Sequence, residues 1–327
     1  MKYLAILLSL ATAYAAVDGT VTNRTTGKPQ AGVTVTLSKL SQAGPEAVGT
    51  AKTDAQGRFS IDQALAQQPY LLQAAWQGVT YNHMLQPGAP ASGVALDVYD
   101  SSAKAGAMQI AQHMVLLEPG AGGQMNVSEA FILENTGTTT YNDPAAGTLK
   151  FFVPEGANDS LHVNATEPQG LPLETPPDAL KQKGAYKLAF PIKPGESRID
   201  ITYTLPYTDP GTFAGASFYK GTPTRLIAPQ GVTLQGDGLK SLGQEPSTGA
   251  MIYEVAGGAP FKVAVQGTGS LHSQQAADSS DQQNGPQIQE ILPPQYEDRR
   301  FLILGLTLVV LAMGFVLLYR KGSQARG

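Results

Sequence analysis

Apolar and polar residues alternate with a period of two along most of this chain. Val33, Val35 and Leu37 interleave with Thr34, Thr36 and Ser38, which predicts a half-buried strand with β-branched residues on its wet face. Before it, Asn23 to Pro29 is a turn cluster, and Gly32 opens the strand. Val48 to Thr53 leads into Asp54-Ala55-Gln56-Gly57, a tight turn in which Gly takes φ > 0 and Asp bonds back to the backbone. Arg58 to Asp62 returns with Phe59 and Ile61 on one face, and Tyr70–Trp76, Val79–Leu85 and Val94–Tyr99 supply further strands. No stretch in this half shows a helical period. About seven short strands separated by turns predict a β-sandwich over residues 16–101.

The alternation resumes from about residue 102 and continues to 269. Ile110 to Leu117 is apolar enough for a central strand, and Met125, Val127, Phe131 and Leu133 run toward an Asn135-Thr136-Gly137 turn. Leu149, Phe151 and Val153 form the next face. After a proline-rich loop, Asp178 to Lys183 reads as a helical turn. Leu188, Phe190 and Ile192 are expected to pair with Ile199, Ile201, Tyr203 and Leu205 across Lys193-Pro194-Gly195-Glu196, whose Pro-Gly order suits a type II turn. Met251, Tyr253 and Val255, then Phe261, Val263 and Val265, close a second sandwich of eight to ten strands with an immunoglobulin-like layout.

The pattern changes at both ends. Residues 301–319, Phe301 to Tyr319, carry no charge, and a helix of that length is about 28 Å long, enough to span a bilayer. Arg299 and Arg300 precede this run and Arg320 and Lys321 follow it. At the other end, Lys2, the apolar Leu4 to Leu10 and Ala13-Tyr14-Ala15 form a signal peptide over residues 1–15. Together they predict an exported domain on a single C-terminal transmembrane helix, with residues 320–327 as a cytoplasmic tail. Residues 270–300, rich in Gln, Ser and Asp, have little to bury and read as a disordered tether. The expected fold class is therefore all-β: two tandem β-sandwiches, transthyretin-like then immunoglobulin-like, plus one transmembrane helix.

Charge and cysteine usage narrow the setting. Residues 16–298 hold 16 Lys plus Arg against 26 Asp plus Glu, a net charge of −10. An acidic exported domain is a poor partner for nucleic acid or anionic lipid, whose binding is carried by cations. There is no cysteine, hence no disulfide framework and no thiolate chemistry. An animal ectodomain of this size would usually carry disulfides, so the expected location is the bacterial inner membrane, with the ectodomain in the periplasm or outside the cell. In that setting the four Asn-x-Ser/Thr sequons, at Asn23, Asn126, Asn158 and Asn164, are coincidental.

Several local strings in the first sandwich carry a family likeness: Gly19-Thr20-Val21, Thr26-Gly27-Lys28-Pro29, Ala31-Gly32-Val33-Thr34-Val35, Thr53-Asp54-Ala55-Gln56-Gly57-Arg58-Phe59 and Tyr70-Leu71-Leu72. This region resembles the carboxypeptidase regulatory-like domain, a prealbumin-like sandwich of bacterial envelope proteins. The resemblance implies that fold and no catalytic residues, since the family has none to carry over. Related sandwiches include carbohydrate-binding modules.

Candidate chemistry is sparse. His83, His113, His162 and His272 make no His-x-x-x-His or His-Glu-x-x-His spacing, so no zinc site is predicted. His113 reads as a structural histidine. Gly215-Ala216-Ser217-Phe218-Tyr219 lacks the second glycine and the following helix of a nucleophile elbow, and Gly120-Ala121-Gly122-Gly123 lacks the Lys-Ser/Thr of a phosphate loop. Glu297 and Asp298 stand beside the membrane, where no pocket can tune a carboxyl group. No catalytic residue, metal ligand or cofactor is predicted. The candidate ligand-binding residues are Trp76, which could stack on a sugar face, and its aromatic neighbours Tyr81 and Tyr99. Against that, Tyr70, Leu72, Ala74 and Trp76 share a strand face that looks like core. Two expectations follow: a non-enzymatic spacer that binds an envelope protein partner, or a module that binds carbohydrate or peptidoglycan.

Overall fold

The alternation seen in the sequence becomes an all-β fold because each strand has one face to bury. The computed structural model describes residues 17–41, 44–157 and 160–271. The expected signal peptide, transmembrane helix and cytoplasmic tail, and all of the tether beyond Leu271, lie outside these residues. No helix among the described residues is long and apolar enough to cross a membrane.

The first half folds, in chain order, into β1 (Val17–Asn23), β2 (Lys28–Pro29), β3 (Thr34–Ser41), β4 (Gly44–Lys52), β5 (Arg58–Ile61), β6 (Tyr70–Trp76), β7 (Val79–Leu85) and β8 (Val94–Val98). One sheet has β1 at its centre, bonded to β2, β5 and β8, the last in parallel; the other runs β4-β3-β6-β7. Val17 and Val21 from the first sheet meet Val35, Leu37, Leu72 and Ala74 from the second in one buried cluster. The Asp54 turn forms as its residues predict. The Asp54 carboxylate accepts the backbone N–H groups of Gln56 and Arg58, and Gly57 sits at φ 72°, a region that favours glycine.

The second half continues as β9 (Asp100–Ser102), β10 (Met108–Pro119), β11 (Gln124–Asn135), β12 (Thr139–Tyr141), β13 (Leu149–Phe152), β14 (His162–Thr166), β15 (Leu173–Glu174) and β16 (Asp178–Ala179). It ends with β17 (Ala185–Leu188), β18 (Gly195–Pro206), β19 (Gly211–Ala216), β20 (Thr224–Ala228), β21 (Val232–Gln235), β22 (Lys240–Gln244), β23 (Met251–Val255) and β24 (Pro260–Gly267). An eight-stranded sheet, β15-β14-β18-β11-β10-β20-β23-β22, forms one layer. The facing layer is split into two three-stranded sheets, β13-β17-β16 and β19-β24-β21. Phe131, Leu133, Ile199 and Ile201 from the wide sheet pack with Phe151, Leu188, Phe213 and Val263 from the split layer.

The central position expected for Ile110–Leu117 is observed: β10 lies between β11 and β20. Its register shifts between Ile110 and Gln112. This bulge passes the buried face from the even-numbered Met108 and Ile110 to the odd-numbered His113, Val115 and Leu117, as an inserted residue must.

Two local expectations are corrected. Asp178 and Ala179 are not helical; they form a short strand paired with β17 at Lys187 and Tyr186. The Leu188–Leu205 hairpin does not form. β17 ends at Leu188 and pairs with β13, whereas β18 pairs with β11 and β14 in the other layer. Residues 189–194 therefore cross between layers, touching strand geometry only where Ile192 bridges Tyr141. The Pro-Gly turn signal was local, but the two apolar faces it joins serve opposite walls of the core.

Candidate functional site

β9 and β12 place the candidate aromatic residues at the joint between the two sandwiches. β9 follows directly from the first sandwich and pairs in parallel with β12 of the second, at Asp100, Ser101 and Ser102 opposite Thr139, Thr140 and Tyr141. Thr25, in the β1–β2 turn, donates its hydroxyl to the Thr138 carbonyl and accepts the Asp100 N–H at 2.8 Å.

Tyr81 and Tyr99 meet in this joint, their ring centroids 6.0 Å apart and tilted by 42°. The Tyr81 hydroxyl donates to the Tyr99 carbonyl at 2.9 Å and lies 2.9 Å from the Thr140 hydroxyl, so Thr140 supplies the proton in that second bond. Burial pushes both phenols above the ordinary tyrosine range; the hydrogen bonds from Thr140 and the Tyr99 carbonyl partly offset it at Tyr81. Trp76 is half-buried on the first core, and its indole N–H donates to Asp100 at 3.3 Å. The same Asp100 oxygen accepts from Asn23 at 2.8 Å and Gln77 at 3.4 Å. Trp76 is thereby linked to the joint through a shared carboxylate.

Beside Tyr81 opens a polar cleft of about 330 Å³, bounded by Tyr81, Asn82 and Tyr99 on one side and Glu167, Gln169 and Lys193 on the other. Lys193 fills its inner end. The ammonium sits 4.9 Å from the Tyr81 ring centroid, within cation–π range. It donates to the Thr80 carbonyl at 2.6 Å and forms a close ion pair with Glu167, whose other oxygen accepts from Asn82 at 2.8 Å. Burial lowers the Lys193 pKa, and the Glu167 carboxylate partly restores it. A cation in this position also covers the edge of β7, where an open backbone carbonyl would otherwise invite another strand.

Lys193, Glu167, Asn82 and Thr140 carry no local sequence signal. Lys193 stands in a Pro-Gly turn, and 26 residues separate it from Glu167. The four histidines do not converge. His83 is exposed at the cleft, exposed His162 lies 3.3 Å from Glu174, and His113 is buried in the second core. His272 lies outside the described residues. Ser217 accepts the Tyr219 N–H at 3.2 Å. Among the described residues no group of three His, Asp or Glu side chains could hold a metal ion. The cleft can therefore join, and can present aromatic and amide groups to a ligand; its one buried cation and carboxylate are spent on each other.

None of the curated proteins compared with this chain matches it. Residues 16–99, about a quarter of the chain, match the carboxypeptidase regulatory-like domain family. The first sandwich is thus a module of that non-catalytic, immunoglobulin-like type, and the resemblance read from its turn motifs is correct.

Proposed function

We propose that this protein is a non-enzymatic, membrane-anchored envelope protein. In this reading its two sandwiches work as a stiff spacer and protein-interaction module outside the inner membrane. The observation that carries it is the joint. β9 pairs with β12, Thr25 reaches Thr138, and Lys193 is held by Thr80 and Glu167. Three polar attachments of this kind turn two domains into one arm, where a flexible linker would leave two beads. The polar groups of the cleft are consumed in making that arm. The anchor and signal peptide expected from the two termini place the arm outside the inner membrane.

The test is purification of the full-length protein from its native membranes in mild detergent, followed by mass spectrometry of what accompanies it. A stoichiometric envelope protein is the expected result; a preparation that never yields a reproducible partner would overturn the reading.

A second reading, binding of polysaccharide, is favoured by one observation: Tyr81 and Tyr99 border a polar cleft together with Asn82 and Gln169. Aromatic faces beside amides suit sugar rings. Retention of the full-length protein on cell-wall polysaccharide, lost in a folded Trp76→Ala or Tyr99→Ala variant, would support it over the first.

A further inference from the structure

The split layer of the second sandwich contains a seam. β13 forms the outer edge of one three-stranded sheet and β19 the outer edge of the other, and the two edges are not hydrogen-bonded to each other. Hydrogen bonding at the strand ends shows which backbone groups face the seam. Val153 donates to Gly184, so the odd-numbered residues of β13 bond to β17 and Lys150 and Phe152 face outward. Ser217 donates to Ala259, so the odd-numbered residues of β19 bond to β24 and Thr212, Ala214 and Ala216 face outward.

One end of the seam is plugged from within. Tyr219, packed edge-on to Phe131 in the core, brings its hydroxyl out to accept the Lys150 N–H at 2.7 Å. A side chain there takes the place of a strand. Beyond that plug the seam opens into a groove of about 630 Å³ bounded by Phe152, Ala214, Ala216, Phe218 and Phe261. Its wall along β19 is made of small residues. At Gly215, an added Cβ would lie 2.5 Å from the Phe261 ring, so only glycine lets that ring lie across the strand.

The rim is basic, in an ectodomain that is acidic as a whole. Lys262 is directly opposite Ala214, and Lys150 is directly opposite Lys187, a like-charge cross-strand pair that costs stability when nothing neutralises it. Lys187 has Asp178 at 3.7 Å; Lys150 and Lys262 make no ion pair among the described residues.

We infer that this seam receives an extended segment of a partner protein, which adds to the outward edge of β19 as a further strand. Its alternate apolar side chains enter the groove toward Phe152 and Phe261, and its acidic side chains face Lys150 and Lys262. Backbone pairing supplies the affinity, and the groove and lysines select the sequence. The inference rests on the protein-interaction reading and names the chemistry of the partner.

The probe is a fluorescein-labelled octapeptide alternating Val and Glu, titrated with the full-length protein in detergent and followed by anisotropy. Saturable binding is expected. It should weaken at least tenfold when alternate peptide amides are N-methylated, and at least tenfold when Lys replaces Glu. Ala214→Pro should weaken it similarly, since proline there removes an outward N–H and spares the β19–β24 ladder. Should that variant fail to unfold cooperatively, the double variant Lys150→Glu/Lys262→Glu takes its place with the same expected loss. No binding to the natural protein, or equal binding of the methylated peptide, overturns the inference. An envelope partner that co-purifies equally with the Ala214→Pro protein would leave the interaction function standing and remove this site.

Discussion

The Nε2 atom of His113 lies 2.6 Å from the Glu129 carboxylate, with both side chains almost wholly buried in the second sandwich. Nδ1 of the same ring lies 2.8 Å from the Thr224 hydroxyl, and the ring stacks on Phe131 at 4.1 Å. His113 is on β10, Glu129 on β11 and Thr224 on β20, so one imidazole ties the antiparallel hairpin to the parallel strand beside it. Glu129→Ala strands the imidazole N–H in the core and should cost about 3 kcal/mol, the range for breaking a buried pair. Glu129→Gln, which keeps an acceptor, should cost less. Urea unfolding of the two variants checks the order; equal losses would show that only packing is at stake.

At the joint, Lys193→Met removes the cation that holds Glu167 and the Thr80 carbonyl, and a loss of about 1–3 kcal/mol is expected. Lys193→Met/Glu167→Leu should recover much of it, because no charge is then left without its partner. The pH dependence has a definite sign. Burial holds the folded Lys193 pKa below its ordinary 10.5, so between the two values the unfolded chain binds more protons and stability rises with pH. This rise toward alkaline pH should be absent in Lys193→Met. Unfolding free energies measured across the alkaline range would test it.

Tyr219 makes a separate alkaline prediction. Burial pushes its hydroxyl up to about 12, against a smaller opposing effect of the Lys150 N–H bond. The folded pKa is raised, so its contribution is intact below 10 and is lost as pH climbs from 10 through about 12. Ultraviolet titration should show one fewer late phenolate in Tyr219→Phe. That variant also leaves the Lys150 N–H without its acceptor and should cost about 1 kcal/mol.

The β22–β23 loop offers a prediction at acid pH. The Glu245 carboxylate accepts from the Thr248 hydroxyl at 2.6 Å, the Ser247 hydroxyl at 2.7 Å and both backbone N–H groups. These bonds, led by Thr248, lower its pKa to about 2. A carboxylate depressed in this way stabilises its loop above the ordinary range near 4.5 and loses the effect as pH falls through about 2. Side-chain carbon NMR should place the Glu245 midpoint near 2, and Thr248→Val should raise it.

How far the sequence carried depended on the range of the interaction involved. Strand β3, the Asp54 turn and the Tyr70–Ala74 face were all legible because each depends on neighbours a few residues away. The Leu188–Leu205 hairpin was misread for the same reason. Its turn residues are correct for a local reversal, but Leu188 and Ile199 are buried against opposite walls of one core. At the candidate site, Tyr81 and Tyr99 were visible as aromatics. Lys193 and Glu167 were not, since nothing in a turn lysine or an isolated glutamate announces that they will meet.

The sequence alone determined the all-β class, the sandwich motif at the N-terminal end and the strands that bury one face, because alternation and turn chemistry are properties of short segments. Only the tertiary structure decided which edges are covered and which stay open. Lys193 caps β7 from 113 residues away, Tyr219 closes one end of the β13–β19 seam, and the rest of that seam is left unpaired. Edges are completed by whatever the chain brings to them from a distance, and that depends on the packing of layers, which no local pattern encodes.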